Sequence, residues 1–187
     1  MKMFLAMSLV VLLAPAVLAQ HQTFVVHPDT SQVQMTLQTT HEVVNGRFSV
    51  QSGSIEFDPG TSKMSGAVVV LAGSGKTGNG SRDKKMDKDI LLVEKYRTVS
   101  FEPKSYTGLL GTTGDSTLQV TGAFTLLGTP HEITIPMLVH AAGTSASAKA
   151  HFIVPYVKWG LKNPSFFIWK AEDDVTIDLS LTGALSK

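Results

Sequence analysis

Strict alternation of apolar and polar residues limits the fold of this chain more than any other feature. Val33, Met35 and Leu37 share one face of the stretch 31–38, with Gln32, Gln34 and Thr36 on the other. Leu118, Val120, Gly122, Phe124 and Leu126 alternate with Gln119, Thr121, Ala123 and Thr125. Ile133, Ile135, Met137 and Val139 repeat the rule, and Val175, Ile177, Leu179, Leu181 and Gly183 stand opposite Asp174, Thr176, Asp178, Ser180 and Thr182. Successive side chains of a strand point to opposite faces, so each stretch predicts a strand buried on one side. One-sided burial belongs to antiparallel sheets. Asn45-Gly46, Asp58-Pro59-Gly60 and Gly128-Thr129-Pro130-His131 supply turn chemistry, and 108–116 reads as a polar, Gly-rich loop. About eight to ten strands follow, with no βαβ rhythm, internal repeat or linker. A one-sided sheet must hide its apolar face and its edges, and curling into a barrel does both. The expected fold is all-β, an extended antiparallel up-and-down barrel of about eight strands.

The period breaks once, inside the stretch Thr77 to Phe101. Met86, Ile90 and Val93 fall at spacings of four and three, which predicts one short helix near residues 83–93. Asp83 near its start and Lys95 and Arg97 beyond its end suit the helix dipole. The Gly-rich run 73–80 before it supplies a hinge. A helix in a strand series usually covers a barrel mouth or one end of a sandwich; in a barrel, His41, Arg82, Asp83, Met86 and Ile90 are the expected mouth or lid residues. Arg82 is expected to clamp locally, to Asp83, Asp87 or a carboxylate across the mouth.

A barrel of this size holds either packed side chains or one small ligand. The period-two pattern sends Val33, Met35, Leu37, Phe48, Phe57, Phe101, Leu118, Val120, Phe124, Ile135, Met137, Val175, Ile177 and Leu179 inward. Of these, Met35, Leu37, Phe48, Phe57, Phe101, Val120, Phe124, Ile135, Met137, Ile177 and Leu179 are the candidate lining of an apolar channel.

Residues 1–19 read as a secretory signal peptide. Lys2 precedes a soft run from Met3 to Leu13, Pro15 breaks it, and Val17-Leu18-Ala19 is a small-residue cleavage site. The run is shorter than the ~20 residues that span a bilayer. The remaining residues, 20–187, are expected to be one exported, soluble domain. With 16 Lys and Arg against 15 Asp and Glu, the chain lacks the basic surface that nucleic acid requires. It has no Cys, which removes thiol chemistry and thiolate metal sites.

Signals of catalysis are weak. Gly73-Ser74-Gly75-Lys76-Thr77 hints at a phosphate loop, but Val70 stands where the first Gly is required. No two His residues sit at i,i+2 or i,i+4, so no metal site is expected. There is no Gly-x-Ser-x-Gly elbow, and Glu172-Asp173-Asp174 reads as a solvated turn. The expectation is a protein without catalytic residues. Trp159, Phe166, Phe167 and Trp169 read first as a core cap, with a rim for an apolar ligand as the alternative. Asn79-Gly80-Ser81 matches a glycosylation sequon.

An ordered set of pieces resembles the YceI-like family along nearly the whole chain after residue 19. They are Asp29-Thr30-Ser31-Gln32-Val33, His41, Asn45-Gly46-Arg47-Phe48, Gly53-Ser54-Ile55-Glu56-Phe57-Asp58, the loop from Thr77-Gly78 to Arg82-Asp83, Met86, Tyr96, Val99-Ser100-Phe101, and Val120 to Thr129. The resemblance implies a lipocalin-like barrel around a long apolar channel that takes isoprenoid chains, such as polyprenyl lipids or quinone tails. It also implies a periplasmic or secreted protein that requires no cofactor and is open to transient membrane contact. Lys85 stands where the family often has His, Ile90-Leu91-Leu92 replaces an aromatic pair, and Arg97 replaces Pro. Two functions follow. One is a carrier or store of an apolar isoprenoid or lipid chain. The other is a filled barrel acting as an envelope protein-interaction or stress-related module.

Overall fold

The computed structural model describes residues 21–186, so the expected signal peptide lies outside the described residues. Among the described residues there are ten strands: β1 (Gln22–Val26), β2 (Gln32–Gln38), β3 (Val43–Phe48), β4 (Val50–Asp58), β5 (Lys63–Leu71), β6 (Thr98–Thr107), β7 (Gly114–Leu126), β8 (Thr129–Ala142), β9 (Ser145–Val154) and β10 (Val175–Ser186). The ring runs β1-β4-β5-β6-β7-β8-β9-β10 and closes by β1–β10 pairing, so the fold is the closed antiparallel eight-stranded barrel that the alternation predicts.

The two further strands prolong this wall. The first part of β10, Thr176–Ser180, pairs with β2, and its last part, Gly183–Ser186, pairs with β1. β2 pairs with β3 as β1 pairs with β4. Thus β2 continues β1 past a single turn at Pro28–Thr30, and β3 leads into β4 across Ser49. Up-and-down order places the connections at alternate ends. The 39–42 hairpin, the segment 72–97, the 127–128 turn and the loop 155–174 meet at one end, called here the helix end. The start of β1, the end of β10, the 59–62 turn, the 108–113 loop and the 143–144 turn share the other, called here the terminal end.

Two irregularities rescue inward facing where simple alternation would lose it. Phe48 and Phe57 are an odd number of residues apart, yet both face inward, because the register of β4 shifts between Val50 and Ser52. A second shift, between Pro103 and Ser105, lets Phe101, Pro103 and Tyr106 all face in from β6. An extra residue in one strand moves the following side chains to the other face. The buried core lies against the wall in three clusters, with Ile135 and Val120 the most enclosed large side chains.

The helix differs from its expected bounds. α1 spans Gly80–Lys85 and passes into a wider π-helical turn, Met86–Ile90. Its start is set by Asn79, whose Oδ1 accepts hydrogen bonds from the N–H groups of Ser81 (3.0 Å) and Arg82 (3.1 Å). The apolar spacing reported the packed face, whereas this cap fixes the end. Leu92, held at φ 49°, turns the chain out of the helix. Gly75 seats the segment on the wall: a Cβ there would lie 2.3 Å from Met86 Cε and 2.7 Å from Phe48 Cε1.

Candidate functional site: an apolar cavity and its mouth

The barrel is not filled. A cavity of about 600 Å³ runs through it, from Gly111 and Gly143 at the terminal end to Thr39, Glu42, Arg82 and Trp169 at the helix end. Met35, Leu37, Phe48, Phe57, Phe101, Val120, Phe124, Ile135, Met137, Ile177 and Leu179 all line it, as do Val33, Leu118 and Val175. Met35, Leu37, Phe101, Phe124, Met137, Ile177 and Leu179 point inward and are still only half-buried, because they face open space and not one another.

Part of that space comes from β9, which sends small side chains inward: Ala148 between Leu181 of β10 and Val139 of β8, and Ala146 between Gly183 and Ala141. Its alternation with Ser147, Lys149 and His151 was present in the sequence, but Ala is a faint apolar signal. Phe152 from β9, Phe24 from β1, and Ile55 and Val68 from β4 and β5 also line the cavity and were missed. β1 is short, and β5 is a continuous Ala-Val-Val-Val-Leu run without alternation.

The mouth is held by a relay of polar contacts. Thr77 lies at its centre. Its N–H (2.9 Å) and its Oγ1 (2.6 Å) both donate to Asp83 Oδ1, while the same Oγ1 accepts from Arg82 Nε at 2.9 Å. Arg82 Nη2 donates to the Thr77 carbonyl at 3.2 Å, and Arg82 Nη1 pairs with Glu42 on the 39–42 hairpin. Arg82 therefore bonds across the mouth to Glu42, and neither Asp83 nor Asp87 is its partner. Asp83 is buried and points away from the cavity; the Thr77 hydroxyl, then the Thr77 N–H, hold its carboxyl below the usual range. Burial pushes the Asp87 carboxyl upward, and its Oδ1 has no hydrogen-bond partner in the protein. Arg82, Met86 and Ile90 line the cavity, and Lys85 joins them there. His41 does not line it; the imidazole sits on the rim, its ring centre 4.1 Å from that of Trp169.

The loop 155–174 closes the other side. Its base is core: the Tyr156 hydroxyl donates to the Glu172 carbonyl at 2.6 Å and burial pushes its pKa up to about 12, while Leu161 is buried beside it. Trp159 stacks on His131 at 4.4 Å and nearly parallel. Here the expected core cap divides. Trp159 belongs to the core, whereas Phe166, Phe167 and Trp169 stand outside it, exposed at the loop tip. Among the described residues no group of three or more His, Asp or Glu could hold a metal ion, and no helix is long and apolar enough to cross a membrane.

A closed up-and-down barrel around an apolar cavity, with a short helix at one end, is lipocalin-like in architecture. The model of the YceI-like domain matches residues 24–183, and the chain belongs to that family. Among solved structures, Burkholderia cenocepacia BcnA is similar at 19% identity, with a TM-score of 0.68 over 87% of this chain and 99% of that one. A polyisoprenoid binding domain from Saccharophagus degradans, implicated in plant cell wall breakdown, is 15% identical, with a TM-score of 0.66 over 86% of this chain and 98% of that one. The Campylobacter jejuni YceI protein is 18% identical, with a TM-score of 0.58 over 77% and 86%. At these identities the likeness concerns the fold. Comparison with curated protein sequences finds no match.

Proposed function

We propose that this protein is a non-enzymatic carrier or store for one apolar chain, an isoprenoid lipid or the tail of an isoprenoid quinone, held inside the barrel. It acts in the periplasm or as a secreted protein after loss of residues 1–19. The observation that carries this reading is the cavity of about 600 Å³ with an apolar lining from end to end. That volume falls in the range of small-molecule sites, ~300–1,000 Å³. Burial of a hydrocarbon chain there is favourable by ~25 cal/mol per Å² removed from water. Charged groups gather only at the mouth, where Glu42, Arg82, Lys85 and Lys170 stand, so a polar head group stays in water while the tail is buried. The similarity in fold to a polyisoprenoid binding domain adds support. A filled barrel acting only through its surface has no use for this space.

Mass spectrometry of lipids extracted from natively purified protein tests the reading directly: a stoichiometric polyprenyl species is the expected result. Met137→Gln places an uncharged polar group in the lining. It should weaken uptake of a fluorescent polyprenyl probe several-fold in a protein that still folds, since an amide left unpaired in an apolar site is unfavourable. Unchanged uptake would count against the cavity as the site.

A further inference from the structure

We propose that the hairpin tip Phe166–Trp169 is a docking wedge that seats the cavity mouth on a phospholipid bilayer. The proposal rests on the cavity being a lipid site. Four consecutive apolar side chains stand in solvent here: Phe166 is 73% exposed, Phe167 84%, Ile168 63% and Trp169 49%. Exposed apolar patches of this kind on a polar rim mark surfaces of interaction. The chain also holds Phe167 at φ 55°, a left-handed conformation unfavourable for a bulky residue. Strain kept at an exposed position with no packing to reward it points to a role outside the fold.

The two ends of the tip, though not Phe167 at its apex, have paired backbone groups. Phe166 and Trp169 exchange N–H···O bonds of 2.9 Å each, and the Ile168 carbonyl accepts from the Thr40 hydroxyl at 3.3 Å. Satisfied backbone groups lower the penalty of entering a lipid phase. It is also braced: Thr40 N–H donates to the Lys170 carbonyl at 2.9 Å, Ala171 N–H donates to Ser165 Oγ at 2.8 Å, and His41 packs on the Trp169 ring.

Position and charge select the occupant. Trp169 belongs both to the exposed tip and to the cavity lining, so the apolar surface is continuous from the wedge into the barrel. Lys170 follows directly and Lys85 lines the same mouth. An aromatic tip with Lys at its margin matches the bilayer interface, where rings sit at headgroup level and ammonium groups reach the phosphates. Of the acids on this side, Glu42 pairs with Arg82 and Asp173 accepts from Asn163 Nδ2 at 2.7 Å, while Glu172 and Asp174 stand exposed at the loop base. Insertion therefore dominates over charge, and phosphatidylcholine alone suffices, with a further gain from phosphatidylglycerol.

The test is flotation with vesicles of phosphatidylcholine, with and without phosphatidylglycerol, comparing the wild type with the double variant Phe167→Ser, Ile168→Ser. Both side chains are exposed, so the melting temperature should hold. Flotation should fall about tenfold or more, as expected when an interfacial anchor loses its apolar face. In a Trp159→Phe background, Trp169 emission should shift to the blue and be quenched by brominated lipids. Uptake of a fluorescent polyprenyl probe delivered from cyclodextrin should be equal in both proteins, while its transfer from vesicles should slow in the double variant. Equal flotation of both proteins, or an unquenched Trp169, overturns the proposal. Self-association through the tip without flotation also overturns it, making the patch an interface between copies. If neither protein floats but both take up the probe, the wedge fails and the cavity reading stands. If flotation depends on the tip but neither takes up the probe, the wedge stands and the cavity reading fails.

Discussion

At the terminal end the strands are joined by the turns 59–62 and 143–144 and the short loop 108–113; at the helix end the chain leaves the wall for residues 72–97 and again for 155–174. Both ends use the same local device, a carboxylate that pins a turn. Asp58 accepts from Gly60 N–H (2.8 Å) and Thr61 Oγ1 (2.7 Å), as Asp83 accepts from Thr77. The difference lies in what is pinned. Asp58 fixes a hairpin whose two strands are already paired, and at that end Leu110 packs against two core clusters. Asp83 fixes a segment that meets the barrel through one backbone pair, Arg47 with Lys76 (3.0 Å each way), the Ser74 hydroxyl on Ser49 N–H, a few side chains and one ion pair, Arg82 with Glu42. Short connections set register, while long ones can open, because few packed contacts oppose their movement. The expectation, on the proposed function, is that a ligand exchanges through the helix end.

The sharpest attack on this asymmetry is Gly75→Val. The added side chain meets Met86 and Phe48, so it should unseat the helical segment, destabilise by about 1–3 kcal/mol as overpacking does, and speed release of a polyprenyl probe. Thermal unfolding and stopped-flow release measure the two effects. Release at the wild-type rate would show that the segment is not the gate.

Thr77→Val tests the polar relay through pH. The Thr77 hydroxyl holds the Asp83 carboxyl below its usual range, so the stability this provides is present above the unfolded value, ~3.9, and lost as pH falls through the lower folded one. The variant should therefore melt below wild type at pH 7, with the gap closing in acid. A gap of constant size from pH 7 to pH 3 would remove Asp83 from the account.

Arg82→Ala and Leu110→Ala form a matched pair, one for each end. The Arg82–Glu42 pair is partly exposed, and such pairs contribute up to about 1 kcal/mol, or roughly 2–4 °C in a domain of this size. Arg82→Ala should lower the melting temperature and speed probe exchange together. Leu110→Ala should lower stability and leave exchange unchanged. The reverse outcome would move the entrance to the terminal end. The smallest effect is expected from Asp87→Asn. Burial raises the Asp87 carboxyl, so its penalty is absent in acid and complete above the raised value. The variant should melt slightly higher at pH 7 and match wild type near pH 3.

The wall was more legible in sequence than the mouth, for a physical reason. Strand facing depends on a period of two, which neighbouring residues display directly, so Val120, Ile135, Met137 and Ile177 could be placed inside from their spacing alone. Mouth contacts join residues distant in the chain. Glu42 meets Arg82 forty positions away, and nothing local marks Glu42 as its partner. The aromatic group near residue 166 shows a different limit. Composition marked it as important, but burial depends on where the loop ends up, and the default that aromatics pack inward failed for Phe166, Phe167 and Trp169. Asn79 carried two readings at once, sequon and helix cap, and the cap could have been found from the Gly and Ser that follow it.

The seam between the first and last strands has a consequence in time. Its register, Thr23 with Ser186 through Val26 with Gly183, joins residues from opposite ends of the chain. No bond of that seam can form until synthesis reaches the final strand, and closure over so long a loop is slow. Until then no closed ring can cover the apolar face. On the proposed function, a hydrocarbon chain present during that interval would be enclosed as the ring shuts, without crossing any mouth. Folding itself is thus a first opportunity for loading, and protein refolded with lipid should differ in occupancy from protein exposed to lipid only after its ring has closed.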